Sequence, residues 1–366
     1  DSYGNIYKFI SVRLSSMDNV NDRLTYNVYN DLNDSILKEG DKVFADADTS
    51  GLWRVYEKQD PYTQIRMLSP DTATADQSFG YKVIARNDGR SVITSAPKAG
   101  QGTIHFLFRR ESTAGTGFQT TSSFTTTAGN DGMVLGIGFS LTMSTDENFV
   151  VAGGPYTNTI GSDGSTRFTS AGLIKIFVWD PATFKYGTLS EITPPTDEGH
   201  QHFGWAHKIC EPTVSSFRST PVKYMFVSAP GKWNDTGRVY MYEWGVGEDG
   251  STYDTWTQCL EIDSGVAGTG KKFGQALEAN DNGDILAVRS KAPGQAGMVE
   301  IFVRTSQSSD DSTQHAFTLV QTLTGTSNDG SSLNRGFGSS LAMNKDGTTL
   351  IIGAPGADTT DTVDAG

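Results

Sequence analysis

Three stretches decide the fold: FGYKVIARNDGRSVITSAP over Phe79–Pro97, FGQALEANDNGDILAVRSKAP over Phe273–Pro293 and FGSSLAMNKDGTTLIIGAP over Phe337–Pro355. Each opens on Phe-Gly, alternates apolar and polar residues, turns, alternates again and ends at Ala-Pro. The turns are Asn87-Asp88-Gly89, Asp281-Asn282-Gly283 and Lys345-Asp346-Gly347. Period-two alternation puts every second side chain on one face of a strand, and Gly or Asn at the turn adopts the positive φ of a tight hairpin. Two looser copies lie between them. GFSLTMSTDENFVVAGGP opens at Gly138 with its phenylalanine read as Phe139, and FGWAHKICEPTVSSFRSTPVKYMFVSAP opens at Phe203. The Phe-to-Phe spacings are then 60, 64, 70 and 64 residues, a period that marks an array of repeated units.

After each proline a glycine opens a third alternating run: GTIHFLF from Gly102, GLIKIFVW from Gly172, GRVYMYEW from Gly237 and GMVEIFV from Gly297. Fourth runs follow, such as TWTQCLEI from Thr255 and FTLVQTL from Phe317. Four strands per unit predict an all-β fold, a β-propeller of four-stranded antiparallel blades. A single sheet cannot bury both faces, so neighbouring blades must stack and cover one another. The expected units lie near 26–70, 79–127, 138–194, 203–263 and 273–324, with a partial unit at 337–366. The unit near 26–70 is degenerate, with LTYNVY, KVFADADTSGLWRVYEK and YTQIRML as its strands, and residues 1–25 are read as a closing strand or a connection. The last unit stops in mid-blade, so the chain is expected to be part of something longer, about six blades' worth of a seven-bladed ring.

Composition narrows the function classes. Twenty-nine basic against 42 acidic side chains leave a net charge of −13, which argues against a nucleic-acid partner. No apolar run is long enough to span a bilayer, so no membrane insertion is expected. The 41 glycines have no three-residue period and accompany 10% aromatic residues, which fits a turn-rich folded chain rather than collagen or disorder. Cys210 and Cys259 are expected to be free thiols.

Through the Phe-Gly and Gly-Ala-Pro steps, most completely in RGFGSSLAMNKDGTTLIIGAPGAD from Arg335, the chain resembles the FG-GAP repeat family of integrin α subunits and many surface proteins. That resemblance implies a recognition platform. A second resemblance, to very long structural proteins of marine tailed phages, rests on SGLWRVYEKQDPYTQIRMLSP from Ser50, SDGSTRFTSAGLIKIFVWD from Ser162 and DGSTYDTWTQ from Asp249. Together they imply a non-enzymatic structural or adhesion propeller of a phage virion, touching the host surface, a cell-surface glycan or other virion proteins through loops on one face. The alternatives are a secreted or cell-surface adhesion protein and a glycan-active enzyme.

Two loops carry the expected binding residues. Lys232, Trp233, Asn234 and Asp235 set a Trp among polar groups, suited to stacking on a sugar ring. The long loop from Tyr156 to Ala171 adds Tyr156, Arg167 and Phe168. No cofactor is expected apart from a calcium candidate at Asp46, Asp48, Ser50 and Glu57, which match loop positions one, three, five and twelve, although a strand rather than a helix follows. The repeat turns themselves hold too few carboxylates for calcium. His200, His202 and His207 have no regular ligand spacing, and a packed His207 is the plainer reading. No nucleophile elbow, CxxC or HExxH motif occurs.

Overall fold

The computed structural model describes residues 11–18, 23–29, 42–46, 53–57, 78–98, 102–112, 115–125, 136–212, 222–245, 255–266, 268, 270–291, 297–305, 315–325 and 336–355. It divides into two units, Asp1–Met67 and Leu68–Gly366. The first holds two antiparallel hairpins. β1 (Ser11–Asp18) pairs with β2 (Arg23–Tyr29), with an irregularity between Leu14 and Ser16, and β3 (Lys42–Asp46) pairs with β4 (Trp53–Glu57). The run expected as this unit's fourth strand, from Tyr62, lies outside the described residues.

The second unit is a series of antiparallel sheets in sequence order. The first blade is β5 (Val83–Ala85), β6 (Ser91–Ala96), β7 (Thr103–Ser112) and β8 (Gly115–Thr125). The next is β9 (Ser140–Met143) and β10 (Phe149–Gly154), then, beyond a small hairpin of β11 (Thr159–Ile160) and β12 (Arg167–Phe168), β13 (Leu173–Asp180) and β14 (Lys185–Ile192). The third is β15 (His207–Cys210), β16 (Tyr224–Ala229), β17 (Arg238–Trp244) and β18 (Trp256–Ile262), with the single turn α1 (Lys232–Asp235) between β16 and β17. The fourth is β19 (Ala276–Ala279), β20 (Ile285–Ser290), β21 (Met298–Thr305) and β22 (Ala316–Thr324), followed by the pair β23 (Ser340–Met343) and β24 (Leu350–Gly353). The first strands β5, β9, β15, β19 and β23 adjoin one another in that order. The fold is therefore all-β and propeller-like, as the repeats predict.

The sequence pattern explains why the sheets stack. In β10 every residue is buried: Val150 and Ala152 join Ile93, Ile104 and Phe106 of the preceding blade, whereas Phe149 and Val151 join Phe203, Met225 and Val227 of the following one. β16 divides likewise, with Tyr224 and Phe226 meeting Phe273, Leu286 and Val288 on its far side. A strand covered on both faces reads as a continuous apolar run. Full burial of a side chain such as Phe203 contributes about 1.5–3 kcal/mol.

Glycine sets the closeness of the seams. Gly172 and Gly237, which open β13 and β17, form parallel bridges to Phe203 and Phe273 of the next blade. A Cβ at either would lie 2.2 Å from that phenylalanine's carbonyl oxygen, and at Gly102 it would lie 2.3 Å from the Ile137 oxygen. The equivalence corrects one register reading. Gly80, Gly138, Gly204, Gly274 and Gly338 all have positive φ, and each donates its N–H to the second strand of its own blade at 2.9–3.0 Å. The repeated Phe-Gly step in the second blade is thus Ile137-Gly138, and Phe139 falls one place past the glycine. The spacings become 58, 66, 70 and 64.

The hairpin turns use their polar side chains internally. Asp88 accepts from the amides of Arg90 and Ser91 at 2.7 and 3.0 Å, and Asn280 accepts from those of Asp284 and Ile285, both at 3.0 Å. This is turn chemistry.

Candidate ligand-binding face

The residue after the repeated glycine lies one or two places before each first strand. In order it is Tyr81, Phe139, Trp205, Gln275 and Ser339. Three consecutive blades therefore place an aromatic ring at the same point, and the first strands adjoin, so the rings meet. Tyr81 and Phe139 have centroids 6.1 Å apart, Phe139 and Trp205 4.9 Å, and the Trp205 indole N–H donates to the Gln275 carbonyl at 3.0 Å. Tyr156, which follows the Gly154-Pro155 turn, packs at 5.9 Å from both Phe139 and Trp205. His202 closes the group, 5.2 Å from Tyr156 and 6.0 Å from Trp205. Tyr81 is 42% exposed and the other rings are half-buried.

Burial governs the ionisation of this group. It pushes the His202 imidazole down to about 4, with Asp235 opposing, so the ring is neutral at neutral pH. Burial also raises the Tyr156 hydroxyl, helped by Tyr81. Among the described residues no hydrogen bond to the His202 ring is present, and its Nδ1 lies 2.7 Å from where a Cβ at Gly231 would sit.

The segments around His202 hold unusual backbone. Nine described non-glycine residues have positive φ, and six of them, Ser170, His200, His202, Asn234, Asp235 and Lys272, belong to this neighbourhood. Backbone bonds join their segments: His200 N to Thr169 O at 2.7 Å, His202 N to Ser170 O at 3.1 Å, Gly231 N to Gln201 O at 3.0 Å, and Lys272 N to Asp235 O at 2.6 Å. Left-handed backbone is unfavourable for L-residues, and such strain clusters where side chains are held for a purpose.

Of the residues expected to bind, Tyr156 stands in the aromatic group. Asn234 is exposed, and Asp235 is half-buried, 3.6 Å from the Lys272 ammonium. Lys232 is a correction: its side chain is buried, with Nζ 2.8 Å from Glu198 Oε2 and bonded to Thr196 Oγ1, so it ties α1 to the preceding connection. The backbone of Trp233 lies in α1, and its side chain is outside the described residues. Arg167 and Phe168 form β12, opposite Ile160 and Thr159, so the long loop is a folded hairpin. Asp163 closes it by accepting from the Thr166 hydroxyl and from the Ser165 and Thr166 amides, the latter at 2.9 and 2.8 Å, which holds its carboxyl well below the usual range. Phe168 makes no ring contact with the aromatic row among the described residues.

The calcium candidates are spread along a hairpin. Asp46 is opposite Trp53 at one end and Glu57 opposite Lys42 at the other, while Asp48 and Ser50 lie outside the described residues. The three clustered histidines also separate. His200 Nε2 meets Thr169 Oγ1 at 3.1 Å, and His207 Nε2 meets Ser140 Oγ at 2.8 Å. His207 is buried where the other blades have Val83, Leu141, Leu277 and Leu341, its Nδ1 has no partner, and burial lowers its pKa to about 4. Both cysteines are free, and burial raises the Cys210 thiol.

One cluster had no sequence signal. Glu243, Cys259 and His315 present donor atoms within 4.8 Å of one another, the sole such trio among the described residues. Arg304 also reaches His315. A guanidinium can only donate, so His315 Nδ1 accepts from it, while Nε2 lies 2.5 Å from Glu243 Oε1. Nδ1 is thus taken by Arg304, and Nε2 faces the Glu243 carboxylate. Cys259 Sγ contacts the Met241 carbonyl oxygen at 3.4 Å. This is a buried polar network between blades.

No protein-family model and no curated protein matches the chain. Solved structures do. A Bacteroides uniformis protein described as a candidate 6-phosphogluconolactonase superposes with a TM-score of 0.44 and 16% identity, covering 75% of this chain and 62% of that one. A periplasmic gluconolactonase of Pseudomonas aeruginosa gives 0.44 and 14%, covering 74% and 62%. This chain thus spans less than two thirds of either protein. At these values the likeness carries no argument about activity. Both of these proteins are named as lactonases rather than as virion or adhesion components, and the expectation of a non-enzymatic phage adhesion propeller is dropped.

Proposed function

We propose that this chain is a recognition module whose binding site is the row of rings at the starts of the first strands, and that its ligand is a saccharide. The sheets of the second unit are read as blades of a β-propeller, with seven the number implied by the FG-GAP resemblance. The observation that carries the site is the succession Tyr81, Phe139 and Trp205 at one register in three adjoining blades, joined by Tyr156. Rings buried between blades serve packing, whereas these lie at the strand starts beside polar connections. Aromatic faces stack on the C–H face of a sugar ring, and neighbouring polar groups fix its hydroxyls.

Calorimetric titration of a panel of neutral and acidic oligosaccharides tests this. Saturable binding is expected, weakened at least about tenfold by Trp205→Ala. Tyr81→Ala serves as a second variant, because its exposed ring contributes little to folding. A panel without a binder, or a binder indifferent to both substitutions, overturns the reading. A sugar lactone belongs in the panel: hydrolysis abolished by the same substitutions would make the face an active site.

A further inference from the structure

Resting on that reading, we propose that His202 and Lys272 are the specificity-determining residues of the face, kept there to hydrogen-bond the saccharide, with Lys272 and its neighbour Asp235 taking two adjacent hydroxyls. The residue before each repeated Phe-Gly or Ile-Gly step is Ser78, Gly136, His202, Lys272 and Gly336. At four of these the backbone is left-handed, with φ of 56° at Ser78, 55° at His202, 50° at Lys272 and 98° at Gly336. Glycine suits that conformation, and one blade uses it. Placing His and Lys at the same point keeps two long polar side chains against the local backbone preference.

Their surroundings supply the chemistry. The His202 ring is wedged against Tyr156 and Trp205, with no hydrogen bond to it among the described residues. The Lys272 ammonium lies 3.6 Å from Asp235 Oδ2, and both side chains are close to half exposed. A cationic donor beside an anionic acceptor matches a vicinal diol, in which one hydroxyl accepts from Lys272 and its neighbour donates to Asp235. The charges of Asp235 and Lys272 both act on His202, so the three groups form one polar rim beside the rings.

The test separates side chain from backbone. Lys272→Gly is expected to raise the melting temperature by about 2 °C through relief of the left-handed conformation, while weakening saccharide binding roughly tenfold. His202→Gly loses ring contacts as well as strain, so His202→Asn, which tolerates the conformation, is the companion variant and should weaken binding to a similar degree. Ser78→Gly, at the same point of the first blade, should raise the melting temperature without altering affinity. Unchanged affinity in Lys272→Gly and His202→Asn, with Trp205→Ala still defective, overturns this inference alone. If Trp205→Ala and Tyr81→Ala also bind normally, the proposed site falls with it.

Discussion

The seam between blades and the rim around His202 use left-handed backbone in opposite ways. At the seam Gly237, with φ +85°, sits so close to the next blade that a Cβ would lie 2.2 Å from the Phe273 carbonyl oxygen. At the rim Lys272, with φ +50°, takes a similar conformation and keeps its side chain. At this seam glycine stands where a Cβ has no room; at the rim, where the backbone alone would favour glycine, His202 and Lys272 keep their side chains. Departures from the repeat therefore locate the site better than the repeat does.

The largest effect expected of this contrast falls on the seam. Gly237→Ala combines a left-handed penalty with a backbone clash and should cost roughly 4 kcal/mol, read as a lower urea midpoint. Gly89→Ala is the comparison. It too has positive φ, +62°, but nothing lies within 4 Å of its Cβ, so only about 1 kcal/mol is expected. Equal losses would show that close approach of the blades does not hold the sheets together.

The same contrast explains what was legible in the sequence. Hairpins and strands were, because alternation and Asn/Gly turns are local signals. The Phe-Gly step was legible wherever phenylalanine filled it, but in the second blade Ile137 takes that place and Phe139 supplied a false register. That error concealed the row, since Tyr81, Phe139 and Trp205 share a position only once Ile137-Gly138 is aligned with Phe203-Gly204. Tyr156 stood out because its loop is longer than in the other repeats, and Asp235 because it neighbours a Trp set among polar residues. Lys232 sat in an equally polar loop, yet its amine reaches inward to Glu198, a direction that sequence does not encode. The Glu243, Arg304 and His315 network joins segments from two blades, beyond any local spacing rule.

That network gives the intermediate effect. Glu243→Ala removes the carboxylate whose Oε1 lies 2.5 Å from His315 Nε2, in a network that also holds the buried Arg304. Breaking a buried polar network in this way should cost about 3 kcal/mol. Saccharide affinity should be unaffected, since the aromatic row uses other residues. A loss of binding at unchanged stability would instead assign the network to recognition.

The smallest effect at neutral pH comes from the one imidazole that replaces an apolar residue on a first strand. His207 stands where its counterparts are Val83, Leu141, Leu277 and Leu341, and its Nδ1 is buried without a partner. His207→Leu should therefore stabilise the chain by about 1 kcal/mol at pH 7, with Ser140 keeping the Gly204 carbonyl, 2.7 Å away, as acceptor. Acid enlarges the difference. The folded pKa of about 4 lies below the ordinary imidazole value of 6.5, so between these values the unfolded state binds the proton first. The stability associated with His207 is fully present above pH 6.5 and is lost as pH falls to 4, by up to about 3 kcal/mol. His202 titrates over the same window, so the substitution should reduce the acid sensitivity without abolishing it. Melting temperatures of the two proteins at pH 7 and 5 measure this. Parallel lines would mean that His207 is hydrogen-bonded or hydrated at Nδ1, and that its place on the first strand is no exception to the repeat.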